Sequence, residues 1–252
     1  MADNGRSVAY IKRMFTMLRI VTSYGVVIKY KHAREVQGIL GEMRIKAPKA
    51  RSASLTADQI AAVVAQADEA GQPAFALGIL MQWWWTLRAV DVRGQWLGVG
   101  DSRRWADGLT WDMVAKDLSV IRKTPSKTED SLVEVLEFPV VPEIRARWAA
   151  IPQDQRVGPV ITMADGQPFQ KRYWAALWRK FANAAGVPHE VQMRDARAGA
   201  INHARDLGAT PMELQHQANH ADFKTTERYV RERSNTIRKV VALRSGTSKQ
   251  LD

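Results

Sequence analysis

The sequence contains no cysteine. That excludes disulfides, thiolate nucleophiles and cysteine-bound zinc, and it accords with a reducing compartment. Long apolar runs are also missing. The stretch Ile20 to Ile28 is interrupted by Thr22, Ser23 and Gly25 and followed by Lys29 and Lys31. It is too short to span a bilayer and lacks the small-residue cleavage pattern of a secretory signal. No membrane partner is therefore expected, and the expected location is the cytoplasm. There is no internal repeat and no low-complexity tract. Acidic residues are scarce at one end: residues 1–52 hold 3 Asp/Glu against 11 Lys/Arg, a net +8. The remaining 200 residues hold 23 against 26, a net +3. A basic first fifth on a nearly balanced body points to a nucleic-acid contact arm ahead of a solvated helix pair or a membrane-surface segment.

What is present is an ordinary folding composition. The chain has 252 residues, 46% hydrophobic and 25% charged, enough for one packed core and a small appended domain. The pattern predicts two domains: residues 1–50, a basic helical segment, and residues 51–252. Two basic helices are expected over 6–22 and 30–43, with a break at Gly25, and a linker over 44–55. Thr56-Ala57-Asp58-Gln59 is a capping box that opens a helix ending near Gly71. Pro73 starts the next, expected to run to about Ala89. It carries Trp83, Trp84 and Trp85, which point in different directions, so at least one leaves the core. Leu118–Arg122 and Leu132–Phe138 read as a β-hairpin around the polar tip 124–130. A helix over 170–185 carries Trp174, Trp178 and Phe181 on one face. Further helices are expected over 194–207, after the Thr210-Pro211-Met212-Glu213 capping box, near 225–233 and near 234–244. The expected fold class is mainly α with a small antiparallel β-sheet (α+β).

The chemistry concentrates near the C-terminus, in Arg194-Asp195-Ala196-Arg197, Asn219-His220 and Tyr229. Guanidinium is always charged and its fork matches two phosphate oxygens. Two of them around one phosphate would stabilise the charge that develops during attack. A phenol ionises near pH 10 and needs a base or a cationic field to act as a nucleophile. A leaving alkoxide needs a proton, for which a lysine on a hairpin tip is suited.

These residues resemble the tyrosine recombinase (phage integrase) family. Its His-x-x-Arg motif reads here as Arg194-Asp195-Ala196-Arg197. Its Gly-His pair, Thr-Thr and nucleophile read as Asn219-His220, Thr225-Thr226 and Tyr229, with the tyrosine nine residues after the histidine. The glycine twelve residues before that histidine is Gly208. A Thr-Gly-Leu-Arg-x-x-Glu/Asp run looks like Thr86-Leu87-Arg88-Ala89-Val90-Asp91. Leu109-Thr110-Trp111 resembles the family's Leu-x-Trp, and Ser126-Lys127-Thr128 its hairpin lysine, with Lys123 as the nearby competitor. The resemblance covers residues 52–243. Each motif alone is weak; five in order and on the expected elements are specific.

The resemblance implies a site-specific DNA recombinase or integrase. Tyr229 would attack the scissile phosphate and form a 3′-phosphotyrosyl bond. Arg88 and Arg197 would clamp the phosphate. Lys127 would protonate the leaving 5′-oxygen. His220 would bond a phosphate oxygen or help position the tyrosine. Arg194 occupies the first histidine's position, and Asp91 would support Arg88 from one turn away. No cofactor and no metal are implied. His216 and His220 are four apart, but Gln217 stands where a zinc-protease pattern needs glutamate. The implied partners are double-stranded DNA, further copies of the chain as a homo-tetramer on DNA, and accessory DNA-bending or directionality proteins. The implied setting is a bacterial or phage nucleoid. The basic segment 231–244 resembles the C-terminal helix that docks on a neighbouring protomer.

Three departures bear on that reading. Arginine at 194 cannot titrate near neutrality. Asn219 replaces glycine, mildly. Residues 1–50 match only about half of the family's core-binding (DNA clamp) domain, as a truncated, fragmentary or minimal member would. A catalytically silent DNA-binding relative and a type IB topoisomerase-like enzyme are the competing readings.

Overall fold

In the computed structural model the described residues are 7–45, 53–126 and 135–218. The chain divides into two compact units, Met1–Ser52 and Ala53–Asp252, and each is described by itself.

The first unit is a pair of helices, α1 (Val8–Val27) and α2 (Ala33–Glu42). The hydroxyl of Ser7 accepts from the Tyr10 N–H and caps α1. Gly25 does not break the helix as expected. The turn comes after it, where Lys29 (φ 56°) and His32 (φ 63°) take the left-handed conformation. Gly25 instead permits a close approach, because a Cβ there would lie 3.0 Å from the Ala33 Cβ. The Arg19 guanidinium donates to the Leu40 carbonyl at 3.1 and 2.7 Å and to the Met43 carbonyl at 2.8 Å. It thus satisfies carbonyls at the end of α2 that no further turn can satisfy.

The second unit is built around one buried helix. α3 (Ala57–Glu69) begins at the Thr56 capping box, with both of its hydrogen bonds formed. α4 (Pro73–Trp84) is buried at every position from Phe75 to Trp83, as expected for a helix apolar on all sides. α3 packs against it, as do the later helical segments Ala89–Arg93, Pro142–Ala149 and Asp195–Asp206. Trp174, in the later helix Lys171–Ala184, meets Gly78, where a Cβ would collide with its ring, and its ring is tilted against Phe75 with centroids 4.7 Å apart. Trp83 and Trp85 are buried, while Trp84 is 41% exposed, so one of the three does leave the core. The helix stops at Trp84 rather than near Ala89, because Thr86 adopts φ 50°.

After Thr86 comes the short helix α5 (Ala89–Arg93), then a hairpin absent from the sequence reading. Its strands β1 (Gln95–Leu97) and β2 (Arg104–Ala106) are antiparallel. The expected hairpin is β3 (Val120–Lys123) paired antiparallel with β4 (Leu136–Pro139), with Ile121 opposite Phe138. The described residues thus hold two separate two-stranded sheets. Also unforeseen is α6 (Pro142–Ala149), with proline at its first turn. α7 (Lys171–Ala184) buries Trp174, Trp178 and Phe181 as expected. α8 (Asp195–Asp206) and α9 (Pro211–Gln217) follow, the second opened by the Thr210–Glu213 capping box. There the Thr210 N–H and hydroxyl hold the Glu213 carboxyl below the usual carboxylate range. The fold is mainly α with small antiparallel β elements. The helices expected near 225–233 and 234–244 lie outside the described residues. Among the described residues no helix is long and apolar enough to cross a membrane.

Candidate active site

The left-handed turn at Thr86 organises the site. It ends α4 and delivers Arg88 as the N-cap of α5 in an extended conformation (ψ 154°). The Arg88 side chain is 32% exposed, and its Nη1 lies 3.9 Å from Oδ2 of Asp91. Asp91 itself is fully buried. Its Oδ1 accepts from the Ser126 backbone N–H at 2.7 Å, and Oδ2 accepts no hydrogen bond among the described residues. A buried carboxylate without a compensating charge is costly, and the Arg88 guanidinium supplies that charge. Asp91 therefore joins two parts of the site. It faces Arg88 and holds the arm of the β3–β4 hairpin one residue before Lys127.

Arg197, half-buried on α8, reaches the same turn. Its Nη1 donates to the Thr86 carbonyl at 2.8 Å, and its Nη2 donates to the Ala218 carbonyl. The Thr86 hydroxyl donates to the Gln217 carbonyl at 2.8 Å. Three segments far apart in sequence thus meet: the α4–α5 turn, α8, and the end of α9, which leads to Asn219-His220. In the motif that this turn resembles, glycine stands two residues before the arginine. Here Thr86 takes that place and the positive φ that suits glycine. Nothing in the sequence marks Thr86 as a junction, since its partners are set only by the tertiary fold.

Arg194 is exposed at the N-cap of α8, one turn before Arg197, so the two share a helix face. Its guanidinium has no partner among the described residues. Lys123, the competitor for the hairpin lysine, is buried. Its ammonium donates to the carbonyls of Asp107 and Gly108 at 2.6 and 3.3 Å, which ties β3 to the loop after β2. Lys127, His220 and Tyr229 lie outside the described residues, so the structure brings together Arg88 and Arg197 of the expected set and sets Arg194 beside the latter.

An open cleft of about 570 Å³ adjoins Arg88, lined by Gln95, Leu97, Arg104, Ala106, Asp107 and Ser126. The sequence reading passed over this second arginine. Gln95-Trp96-Leu97 and Arg104-Trp105-Ala106 are too short to show an alternation, so nothing local marks it. At the root of that hairpin Arg93 is buried and donates to the Gly94 carbonyl at 2.7 Å. Burial lowers its pKa from the usual arginine value. Among the described residues no three of His, Asp or Glu gather as metal ligands.

No protein-family model matches the sequence, and no curated protein matches it. Solved structures do match in fold. A lambda integrase dimer bound to a COC′ core site superposes with a TM-score of 0.67 at 14% identity. The match covers 88% of this chain, which spans 59% of the length of that one. The Tn1549 transposon integrase in complex with circular intermediate DNA gives 0.62 at 13% identity, over 91% of this chain and 76% of the other. XerA recombinase gives 0.53 at 13% identity, over 94% and 83%. At such low identity the likeness is one of architecture, and that architecture is the tyrosine-recombinase fold that the motif order implies.

Proposed function

We propose that the chain is a site-specific DNA recombinase or integrase that breaks and rejoins strands through a tyrosine. The observation that supports this most is the Thr86 junction. It delivers Arg88 at the start of α5 and accepts a hydrogen bond from Arg197 of α8, in a fold similar to that of integrases whose structures contain DNA. In this reading the Oη of Tyr229 gives up its proton to water in the cationic field of the arginines and attacks the scissile phosphorus, and the 5′-oxygen leaves, taking a proton from Lys127. A 3′-phosphotyrosyl bond forms, and the energy of the broken phosphodiester is kept in it. Attack by a 5′-hydroxyl from another strand reverses the step and exchanges partners, so neither nucleotide hydrolysis nor a metal is required. Arg88 and Arg197 stabilise the charge on the phosphate oxygens. Arg197 is oriented by its two carbonyl acceptors, and a guanidinium carries five N–H groups in all. Arg194 adds a fixed positive charge beside it, without a titrating role. His220 bonds a phosphate oxygen or positions the phenol.

The partners in this reading are double-stranded DNA and further copies of the chain, as a tetramer on DNA in which segment 231–244 docks on a neighbour. Accessory DNA-bending proteins belong to the same reading, as does a cytoplasmic setting at the nucleoid. The domain assignment also belongs here, with residues 1–50 as a partial DNA clamp and 51–252 as the catalytic domain.

The test is covalent capture. Nicked suicide duplexes drawn from the DNA flanking the gene are incubated with wild type and with Tyr229→Phe, and resolved on a denaturing gel. A covalent adduct in the wild type that Tyr229→Phe loses is the expected result. Salt-sensitive binding with no adduct would instead favour a silent DNA-binding relative.

A further inference from the structure

The cleft beside Arg88 has a wall that the phosphate-clamp residues do not account for. Gln95, Leu97, Arg104 and Ala106 line it. They form two cross-strand pairs, Gln95 with Ala106 and Leu97 with Arg104. Cross-strand partners and every second residue share a face, so these four make one face of the β1–β2 hairpin. The other face carries Trp96 and Trp105. Trp105 packs on Gly94 and Gly108, where a Cβ would collide with its ring. Its indole N–H donates to the Arg93 carbonyl at 3.2 Å. The Arg103 guanidinium lies 4.6 Å over the Trp96 ring, an attractive cation–π contact. A hairpin with three-residue strands and no buried face is marginal alone. The Trp105 anchor fixes it to the end of α5 and so fixes what its open face presents.

That face presents a guanidinium. Arg104 is exposed and has no carboxylate or hydrogen-bond partner among the described residues. The cations at the cleft and at its root are Arg88, Arg93, Arg104 and Lys123; the carboxylates are Asp91 and Asp107. Asp91 already faces Arg88. The Asp107 carboxylate accepts from the Gln95 amide at 2.5 Å, and its carbonyl accepts from Lys123. The balance is positive. The volume of about 570 Å³ falls in the range of about 300–1,000 Å³ for small-ligand sites. It has room for a nucleotide and not only for one ion.

We infer that this face is a second phosphate subsite, in which Arg104 holds a DNA backbone phosphate neighbouring the one at Arg88. The inference rests on the DNA-processing reading above. Such a contact sets register on the duplex and carries no sequence information.

The test is titration of wild type, Arg104→Ala, Arg104→Lys and Arg88→Ala with a fluorescein-labelled duplex of mixed sequence across a KCl series. Arg104→Ala is expected to bind on the order of tenfold more weakly at low salt. Its logarithmic salt slope should be shallower by about 0.9, one phosphate contact. Arg104→Lys should keep most of the slope, since a point charge still neutralises a phosphate. An unchanged melting temperature for Arg104→Ala separates a lost contact from a lost fold. If Arg104→Ala keeps wild-type affinity and slope, the subsite is overturned, while the wild type's own salt-dependent binding shows that the DNA reading survives. If the wild type shows no salt-dependent binding, the DNA reading falls and the subsite with it.

Discussion

At the scale of single residues, Thr86 carries the most structural consequence for its size. A β-branched side chain in the left-handed region costs about 1–2 kcal/mol. The conformation is held by partners 111 and 131 positions away in the sequence, Arg197 and Gln217. Thr86→Val keeps the branched shape but removes the donor to the Gln217 carbonyl. It should lower unfolding stability by about 0.5–1.5 kcal/mol in urea titration, because a part-buried hydrogen bond is lost. Thr86→Gly removes the strain and the hydrogen bond together, so the two effects offset and stability should change by less than about 1 kcal/mol. Equal stability of Thr86→Val and wild type would mean that the hydroxyl contact carries no weight. The same residue shows where sequence reading stops. The Thr56 and Thr210 capping boxes and the glycine stops at Gly71, Gly186 and Gly208 are legible because donor, acceptor and backbone preference all lie within one turn. The break at Thr86 is not, because local preference opposes it and only the assembled fold compels it. For the candidate site, motif spacing names Arg88 and Arg197 as candidates, whereas the carbonyls that orient Arg197 belong to other segments.

At the scale of elements, two helix glycines behave in opposite ways, and one of them, Gly199, marks where backbones touch. The run Ala196, Ala198, Gly199 and Ala200 leaves room for close approach, and the structure shows what approaches. A Cβ on Gly199 would collide with the Leu55 backbone carbonyl, which leads into α3. A backbone carbonyl cannot rotate aside as a side-chain end can. Gly199→Ala should therefore force α8 outward and cost about 2–3 kcal/mol, with Arg197 displaced on the same helix. Gly38 is the contrasting case. It lies inside α2 with nothing near the Cβ position, so Gly38→Ala should stabilise that helix by about 0.5–1 kcal/mol. Calorimetric melting for the first variant and amide exchange in α2 for the second would check the opposite signs. A loss on Gly38→Ala would show that α2 is not the unstrained helix described. Elements were legible where a cap or a period marks them. α3 and α9 open on capping boxes, and α7 carries a period that can be counted. The β1–β2 hairpin has only three residues per strand, none of them fully buried, so it is held by Trp105, seated on two glycines contributed by segments outside its strands.

At the scale of the whole molecule, the charge is divided as sharply as the fold. The unit Met1–Ser52 carries a net +8. Among its described basic residues, Lys12, Arg13, Lys29, Lys31 and Arg34 are exposed. Arg19 is occupied in closing α2. A duplex bound by exposed cations releases condensed counterions, and each neutralised phosphate adds about 0.9 to the logarithmic salt slope. Changing Lys12, Arg13, Lys29 and Lys31 together to glutamine leaves the Arg19 tie intact and removes four charges from the arm. If all four meet phosphates, the slope should fall by about 3.6, while the wild-type helix content by circular dichroism should remain. The change should be uniform across unrelated duplexes, since phosphate contacts position without specifying. Under the proposed function it should also leave a Tyr229-dependent adduct chemically possible on a duplex supplied at saturating concentration, because in that reading the arm contributes binding and not the reacting groups. A slope equal to wild type in the fourfold variant would mean that the +8 unit does not grip DNA. The arm's charge would then be a solvated surface, and the DNA affinity would have to come from the Ala53–Asp252 unit alone.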